Sequence, residues 1–192
     1  MLYEVFVEKR KEFAEEAAAL LADLQTFLGV HELRSVRIVN RYYVENVSEE
    51  VFAYASKMIF SEPQVDTVSY TLETGDATVF AVEFLPGQFD QRAASAAECI
   101  ALVAEEAKPL VQSAKVYLLE GELTAEQVEE IKNYVINPVE AREASLEKPE
   151  TIVVPFSIPT EVASVEGLIE ASEEELANFL VDYSLAMYFG DL

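Results

Sequence analysis

The chain has 192 residues, 51% of them hydrophobic, enough for one large or two small packed domains and too apolar for a disordered chain. Its 36 acidic residues against 13 basic ones give a formal charge of −23, which repels a phosphate backbone and an anionic membrane surface alike, so no nucleic acid and no membrane is an expected partner. One cysteine, Cys99, and one histidine, His31, exclude an intrachain disulfide framework, a multi-thiolate metal site and most histidine-based sites, and they fit a reducing, cytoplasmic setting.

The first segment, Leu2 to Glu8, alternates like a strand and does not read as a signal peptide, and no apolar run approaches the roughly 18 to 20 residues that span a bilayer. Phe13, Ala17, Leu20, Leu21, Leu24, Phe27 and Leu28 then recur at helical spacing, with Gly29 as the stop. Val36, Ile38, Tyr42 and Val44 lie on alternate positions of a second strand. Ser48 is placed to cap a helix carrying Phe52, Ala55, Met58 and Ile59, which Ser61, Glu62 and Pro63 end.

The same order then repeats at an offset of about 75 to 78 positions. FVE at Phe6 answers AVE at Ala81. Phe13, Ala17, Leu20, Leu21, Leu24, Phe27 and Leu28 answer Phe89, Ala93, Ala96, Ala97, Ile100, Val103 and Ala104, so both helices are expected to bury one face. SVRIV at Ser35 is matched to SAKVY at Ser113. Thr124 and Gln127 form a capping box before Val128, Ile131, Tyr134 and Val135, and Pro138 answers Pro63. Val65 to Leu72 reads as an extra strand between the copies.

After Val139 the texture changes. EAREASLEKPE is charged and alanine-rich, and TIVVPFSIPT is apolar but interrupted by Pro155 and Pro159, which reads as a linker. Ser172 to Glu175 forms a second capping box ahead of a short amphipathic helix with Leu176, Phe179, Leu180 and Tyr183. The final YSLAMYFGDL has no evident partner for its apolar side.

The polar residues hold no catalytic constellation. His31 follows Gly29-Val30 and is expected in solvent, Cys99 has no histidine near it in sequence, the glutamate clusters sit on polar helix faces, and glycine-rich phosphate loops are absent. The turn FLPGQFDQRA is different. Pro86 and Gly87 make the turn and Asp90 is placed to cap the next helix, yet Arg92 puts a cation in a first helical turn, at the positive end of the dipole, beside Gln88 and Gln91. Two readings stay open: a solvated helix start with Arg92 paired to one of the many carboxylates, or a docking surface formed by Gln88, Asp90, Gln91 and Arg92.

The runs FVEKRKEF, SVRIVNRYYVENVSEE, IFSEP, FAVEFLPGQFDQRAASAAECI, AKVYLLEGELTAEQVEEIKNYVINPVEARE and ELANFLVDYSLAMYFGDL together resemble the N-terminal region of the large, single-chain phosphoribosylformylglycinamidine synthase of purine biosynthesis. The resemblance covers almost the whole chain, is most specific at PGQFDQRA and NPVEAR, and is looser beyond Lys148. It implies a ligase that converts formylglycinamide ribonucleotide to the amidine with ATP, magnesium and ammonia from glutamine. The synthetase and the glutamine amidotransferase lie downstream as partners of this region. It also implies that this region resembles a fused dimer of the separate small bridging subunit found in other bacteria. Family members continue beyond the position of Leu192, so the chain is expected to be an excised or truncated piece. No catalytic, cofactor-binding or metal-binding residue carries over, and no cofactor is expected in the piece itself.

The expectation is an α+β fold: a two-layer pseudo-dimer of duplicated β-α-β-α units over residues 1–144, with helices on one side of an antiparallel or mixed sheet. A linker and the start of a helical segment follow at 145–192. The expected role is structural coupling within the ligase, the chain alone being inactive. The alternative is a stand-alone assembly module or one that binds a small regulatory ligand between its repeats.

Overall fold

A computed structural model describes residues 1–104, 108–153 and 171–183, with Thr160, Leu168, Met187 and Gly190. The chain divides into two compact units, Met1–Val154 and Pro155–Leu192. No helix among the described residues is long and apolar enough to cross a membrane. Most of the apolar stretch after Val153 and most of the C-terminal YSLAMYFGDL lie outside the described residues.

The first unit is an α+β sheet-and-helix layer pair. Its strands are β1 (Tyr3–Lys9), β2 (Leu33–Glu45), β3 (Asp66–Ser69), β4 (Thr78–Phe84), β5 (Leu110–Gly121) and β6 (Ala141–Ala144), and its helices are α1 (Glu15–Thr26), α2 (Glu49–Met58), α3 (Gln91–Val103) and α4 (Ala125–Val135). All pairings are antiparallel, in the order β3-β1-β2-β5-β4-β6. Exchanging β1 with β4, β2 with β5 and β3 with β6 maps that order onto itself, as a duplication with a pseudo-two-fold axis requires. The capping residues lie where expected: Ser48 and Asp90 accept from Val51 N and Ala93 N at 3.2 and 2.9 Å, and Thr124 and Gln127 close a reciprocal box.

Each copy is β-α-β-α-β. The segment expected to be an extra strand contains the third strand of the first copy, and its counterpart β6 lies at the end of the expected domain, in the charged stretch after Val139 where no strand was expected. β6 has four residues, too few for alternation to register, and holds Arg142 and Glu143. The strand offset is also corrected. Val5 faces Tyr42 in the first copy and Phe80 faces Tyr117 in the second, so β1 to β4 and β2 to β5 both shift by 75, and Tyr42 corresponds to Tyr117 rather than Ser35 to Ser113. A slip of three residues exchanges the two faces of a strand. With the offset at 75, the axis passes through the cross-strand pair Asn40 and Lys115.

Val5, Val7, Tyr42, Val44, Phe80, Tyr117 and Leu119 share the face covered by helices. The two clusters there mix the copies. Ala96 and Ile100 of α3 pack with first-copy strand residues Val5, Val7 and Tyr42, and Ala17 and Leu24 of α1 pack with second-copy residues Phe80, Tyr117 and Leu119. The helical faces expected to be buried are buried in the middle and bare at the ends. Phe13 and Phe89 precede their helices and stay exposed, Phe27 is a C-cap residue, and Val103, Met58 and Tyr134 lie in last turns.

In the second unit, α5 (Glu173–Asp182) opens with the expected capping box, Ser172 Oγ and the Glu175 carboxylate bonding one another's backbone N–H groups. These bonds to Ser172 hold the exposed Glu175 carboxyl below its ordinary pKa.

Because α3 packs on the strands of the other copy, Ile100→Ala is expected to cost about 2–5 kcal/mol and to melt the first unit in one transition. Amide spectra should show the change at Val5, Val7 and Tyr42. A response confined to second-copy strands would contradict the mixed cores.

Candidate functional site

The helix-start turn singled out in the sequence joins β4 to α3. Leu85 to Gln88 closes a β-turn, Gln88 N donating to Leu85 O at 3.0 Å, with Gly87 at φ +92°, where a side chain would be strained. Asp90 then does two things. Its Oδ1 caps α3, and its Oδ2 accepts from both the backbone N and the hydroxyl of Ser113 on β5, at 3.1 and 2.8 Å. The helix start is thereby tied to the strand beneath it.

Arg92 Nη1 donates to the Tyr42 hydroxyl at 3.3 Å, reaching from the second copy to the first. Burial lowers the pKa of its guanidinium, but Tyr42, Glu16 and Asp90 together outweigh that and leave it raised. At the helix offset of 76, Arg92 corresponds to Glu16, which pairs with Lys115 on the axis. Equivalent side chains beside a true two-fold axis are identical and would repel if charged. Here they have opposite signs, and the cation that the helix dipole disfavours locally is favoured by its setting.

Gln91 points into solvent, and Gln88 is exposed while its amide donates to Val139 O at 3.4 Å. Leu85 N donates to Glu140 O at 2.9 Å, so the turn 84–92 is clamped to the turn 137–142. The runs PGQFDQRA and NPVEAR thus form one corner. The first copy has the same clamp, Arg10 N to Val65 O at 2.8 Å, but different chemistry. Lys9, Arg10 and Gln64 stand where the second copy has Phe84, Leu85 and Val139. The second corner therefore carries an apolar patch in solvent, Phe84 41%, Phe89 75% and Val139 76% exposed. Behind it lies a cleft of about 340 Å³ between α3, α4 and the sheet, with Arg92, Lys115, Tyr117 and Asn137 on its walls. Periodicity missed the patch, because Phe89 fits a helical stripe. A position-by-position comparison of the copies reveals it.

The opposite sheet face is asymmetric too. Val116 and Leu118 are fully buried there with Phe6, Val39 and Ala81, and their first-copy equivalents are Arg41 and Tyr43, each only 3% exposed. The Arg41 guanidinium stacks 4.6 Å from the Tyr43 ring centre, and its Nη1 donates to Ser145 O at 2.8 Å. Among the described residues, Arg41 Nε and the Tyr43 hydroxyl have no hydrogen-bond partner. Burial pushes the Tyr43 pKa up to about 12. Arg41 opposes that shift, and Glu4, across the strand, adds to it without hydrogen-bond geometry. Thr151 Oγ1 and Ile152 N both donate to Glu45, at 2.8 and 3.1 Å, so residues 145–152 run from the edge strand β6 back to the end of β2. Nearby, Arg37 holds Glu8 in a bidentate pair at 2.8 and 2.7 Å. At the equivalent positions Gln112 bonds Glu83, whose cationic partner has moved to Arg142 on β6.

Among the described residues, no group of three His, Cys, Asp or Glu side chains is placed to hold a metal ion. His31 and Cys99 are both exposed and lie apart in the chain, on a turn and on α3. No protein-family model and no curated protein matches the chain.

Replacing Asp90 by Ala removes a cap and leaves the Ser113 groups without their acceptor, and is expected to cost about 1–3 kcal/mol in denaturant unfolding. Gln91→Ala, in solvent, should cost almost nothing, and equal losses would contradict the tie. Restoring the second-copy residues on the other face, Arg41→Val with Tyr43→Leu, should leave stability unchanged or raise it by up to about 4 kcal/mol, since a buried cation and an orphaned hydroxyl are exchanged for apolar packing. The same pair of substitutions should flatten the alkaline limb. A phenol titrates near 10 when unfolded, and both Tyr43 and Tyr117, which burial and then Glu16 also push up to about 12, keep their protons longer when folded. Their stabilisation is whole below about pH 10 and is lost as pH rises through about 12. An unchanged slope in the double variant would contradict the assignment to Tyr43.

Proposed function

We propose that the first unit is the N-terminal coupling domain of a cytoplasmic, glutamine-dependent ligase of purine biosynthesis, of the large phosphoribosylformylglycinamidine synthase type. The domain itself is non-catalytic. The observation that carries this proposal is the self-mapping strand order of two fused copies, together with the PGQFDQRA and NPVEAR runs brought together at one corner. A fused pseudo-dimer is the arrangement that the family resemblance implies for a domain replacing a separate bridging subunit. ATP, magnesium and the glutaminase nucleophile then belong to the synthetase and glutaminase domains, its partners in the same enzyme.

Such a domain acts by position. Fusing two copies through one continuous sheet gives a stiff body, and stiff supports hold two reacting centres in register better than loops do. Its acidic surface suits contact with basic surfaces of neighbouring domains rather than with nucleic acid.

Removing residues 1–153 from an enzyme that carries them is expected to reduce glutamine-dependent synthesis about tenfold or more while ammonia-dependent synthesis is largely kept, because coupling and not the chemical step is lost. Parallel assays with glutamine and with ammonium salt check this. Equal loss in both, or no loss in either, would overturn the coupling role.

A further inference from the structure

Each copy has a cleft over its strands, and the two clefts serve as controls for one another. The first-copy cleft, about 440 Å³, runs along Lys9, Tyr42, Glu62 and Asp66, and its polar groups satisfy each other. Lys9 Nζ holds Asp66 at 2.9 Å, Glu62 N donates to Asp66 at 2.8 Å, and the Tyr42 hydroxyl accepts from Arg92 at 3.3 Å. At the strand offset of 75, the second-copy cleft of about 340 Å³ has Phe84, Asn137 and Ala141 in place of Lys9, Glu62 and Asp66. The ion pair is gone, and apolar side chains stand where it was.

The polar groups left in the second-copy cleft are donors. Tyr117, the counterpart of Tyr42, is only 7% exposed, and among the described residues its hydroxyl has no hydrogen-bond partner. A buried polar group in that state calls for a bound water, ion or ligand. Asn137 Oδ1 accepts from Val139 N at 3.2 Å, which leaves its amide N–H groups to donate. Among the described residues Arg92 has only the neutral Tyr42 hydroxyl as a hydrogen-bond partner, and Lys115 has Glu16. The nearby carboxylates are already bound, Asp90 by Ala93 and Ser113 and Glu83 by Gln112 and Arg142, while Glu140 stands exposed at the rim. Val82, Phe84 and Val135 supply the apolar part of the same cleft, whose volume is that of a small-molecule site, about 300–1,000 Å³.

We propose that the second-copy cleft binds a small organic anion, a carboxylate or phosphate monoester on a compact apolar body, with Tyr117, Arg92, Lys115 and Asn137 donating to the head and Val82, Phe84 and Val135 packing on the body. Charge-assisted bonds from several convergent donors are the strong kind. On a chain of net charge −23 an anion is repelled at long range, so one that binds here is held by these donors at contact and not by the general field. The site does not rest on the coupling function proposed above.

Benzoate and phenyl phosphate are the probes, titrated into the 192-residue chain and followed by amide chemical shifts. At least one of them is expected to give saturable shifts at Val82, Tyr117 and Asn137, and the tighter of the two identifies the head group. Benzamide, which is neutral, and inorganic phosphate, which has no apolar body, should each bind about tenfold more weakly or worse. Tyr117→Phe should weaken the tighter probe about fivefold or more, at an unchanged or raised melting temperature, since it removes only an unpartnered hydroxyl. Lys115→Met should weaken it about tenfold or more, whereas Lys57→Met, which removes the same charge from the exposed face of α2, should stay within about twofold of wild type. Saturation by neither probe would overturn the site. Equal binding of benzamide would overturn the anionic head, equal binding of inorganic phosphate would overturn the apolar body, and full binding by Tyr117→Phe would overturn the assignment of the donors.

Discussion

The ladder between β2 and β5 is the constraint on which the molecule depends. It runs from Leu33 opposite Gly121 to Glu45 opposite Leu110 and joins the two copies into one sheet. Neither strand is an edge, so the long apolar strands of each copy, which alone would offer open backbone groups to any passing chain, are satisfied by each other. The true edges, β3 and β6, are short and carry charge: Asp66 binds Lys9 and accepts from Glu62 N, and Glu143 binds Lys132.

Everything near the axis follows from that junction. Asn40 and Lys115 face each other on it, α1 and α3 lie over the central strands, and each sends its apolar residues into a cluster shared with the other copy. Alanines at 93, 96 and 97, where α1 has Ala17, Leu20 and Leu21, give α3 a slimmer inner face. Divergence after duplication then allowed what a symmetric dimer cannot have: Glu16 and Arg92, equivalent positions with opposite charge, each bound to a residue of the opposite copy. The same freedom separated the two corners and the two halves of the second sheet face, where Arg41 and Tyr43 replace the apolar pair Val116 and Leu118.

The order of elements, the caps at Ser48, Asp90, Thr124 and Ser172, and the duplication were legible because each rests on local chemistry or on a periodicity long enough to count. The strand register was not. Residues 41–44 and 116–119 are buried on both faces, so alternation gives no phase there, and the likeness of SVRIV to SAKVY drew the match three residues out. The third strand of the first copy was read within Val65 to Leu72, whereas its counterpart β6 was illegible for a different reason, since the four residues AREA are made into a strand by the neighbour they pair with. At the candidate site, Asp90 as a cap could be read from its position, whereas its bond to Ser113 and the reach of Arg92 to Tyr42 depend on how distant strands come together.

Native-state hydrogen exchange is the most direct test of the fused, interlocked pseudo-dimer. Amides of Val39 and Tyr42 in β2, Val116 and Tyr117 in β5, and Ile100 and Leu24 in the helices should open with one common free energy, equal to that of global unfolding, as expected for a single cooperative unit. Two separate opening free energies, one for residues of the first copy and another for residues of the second, would contradict it.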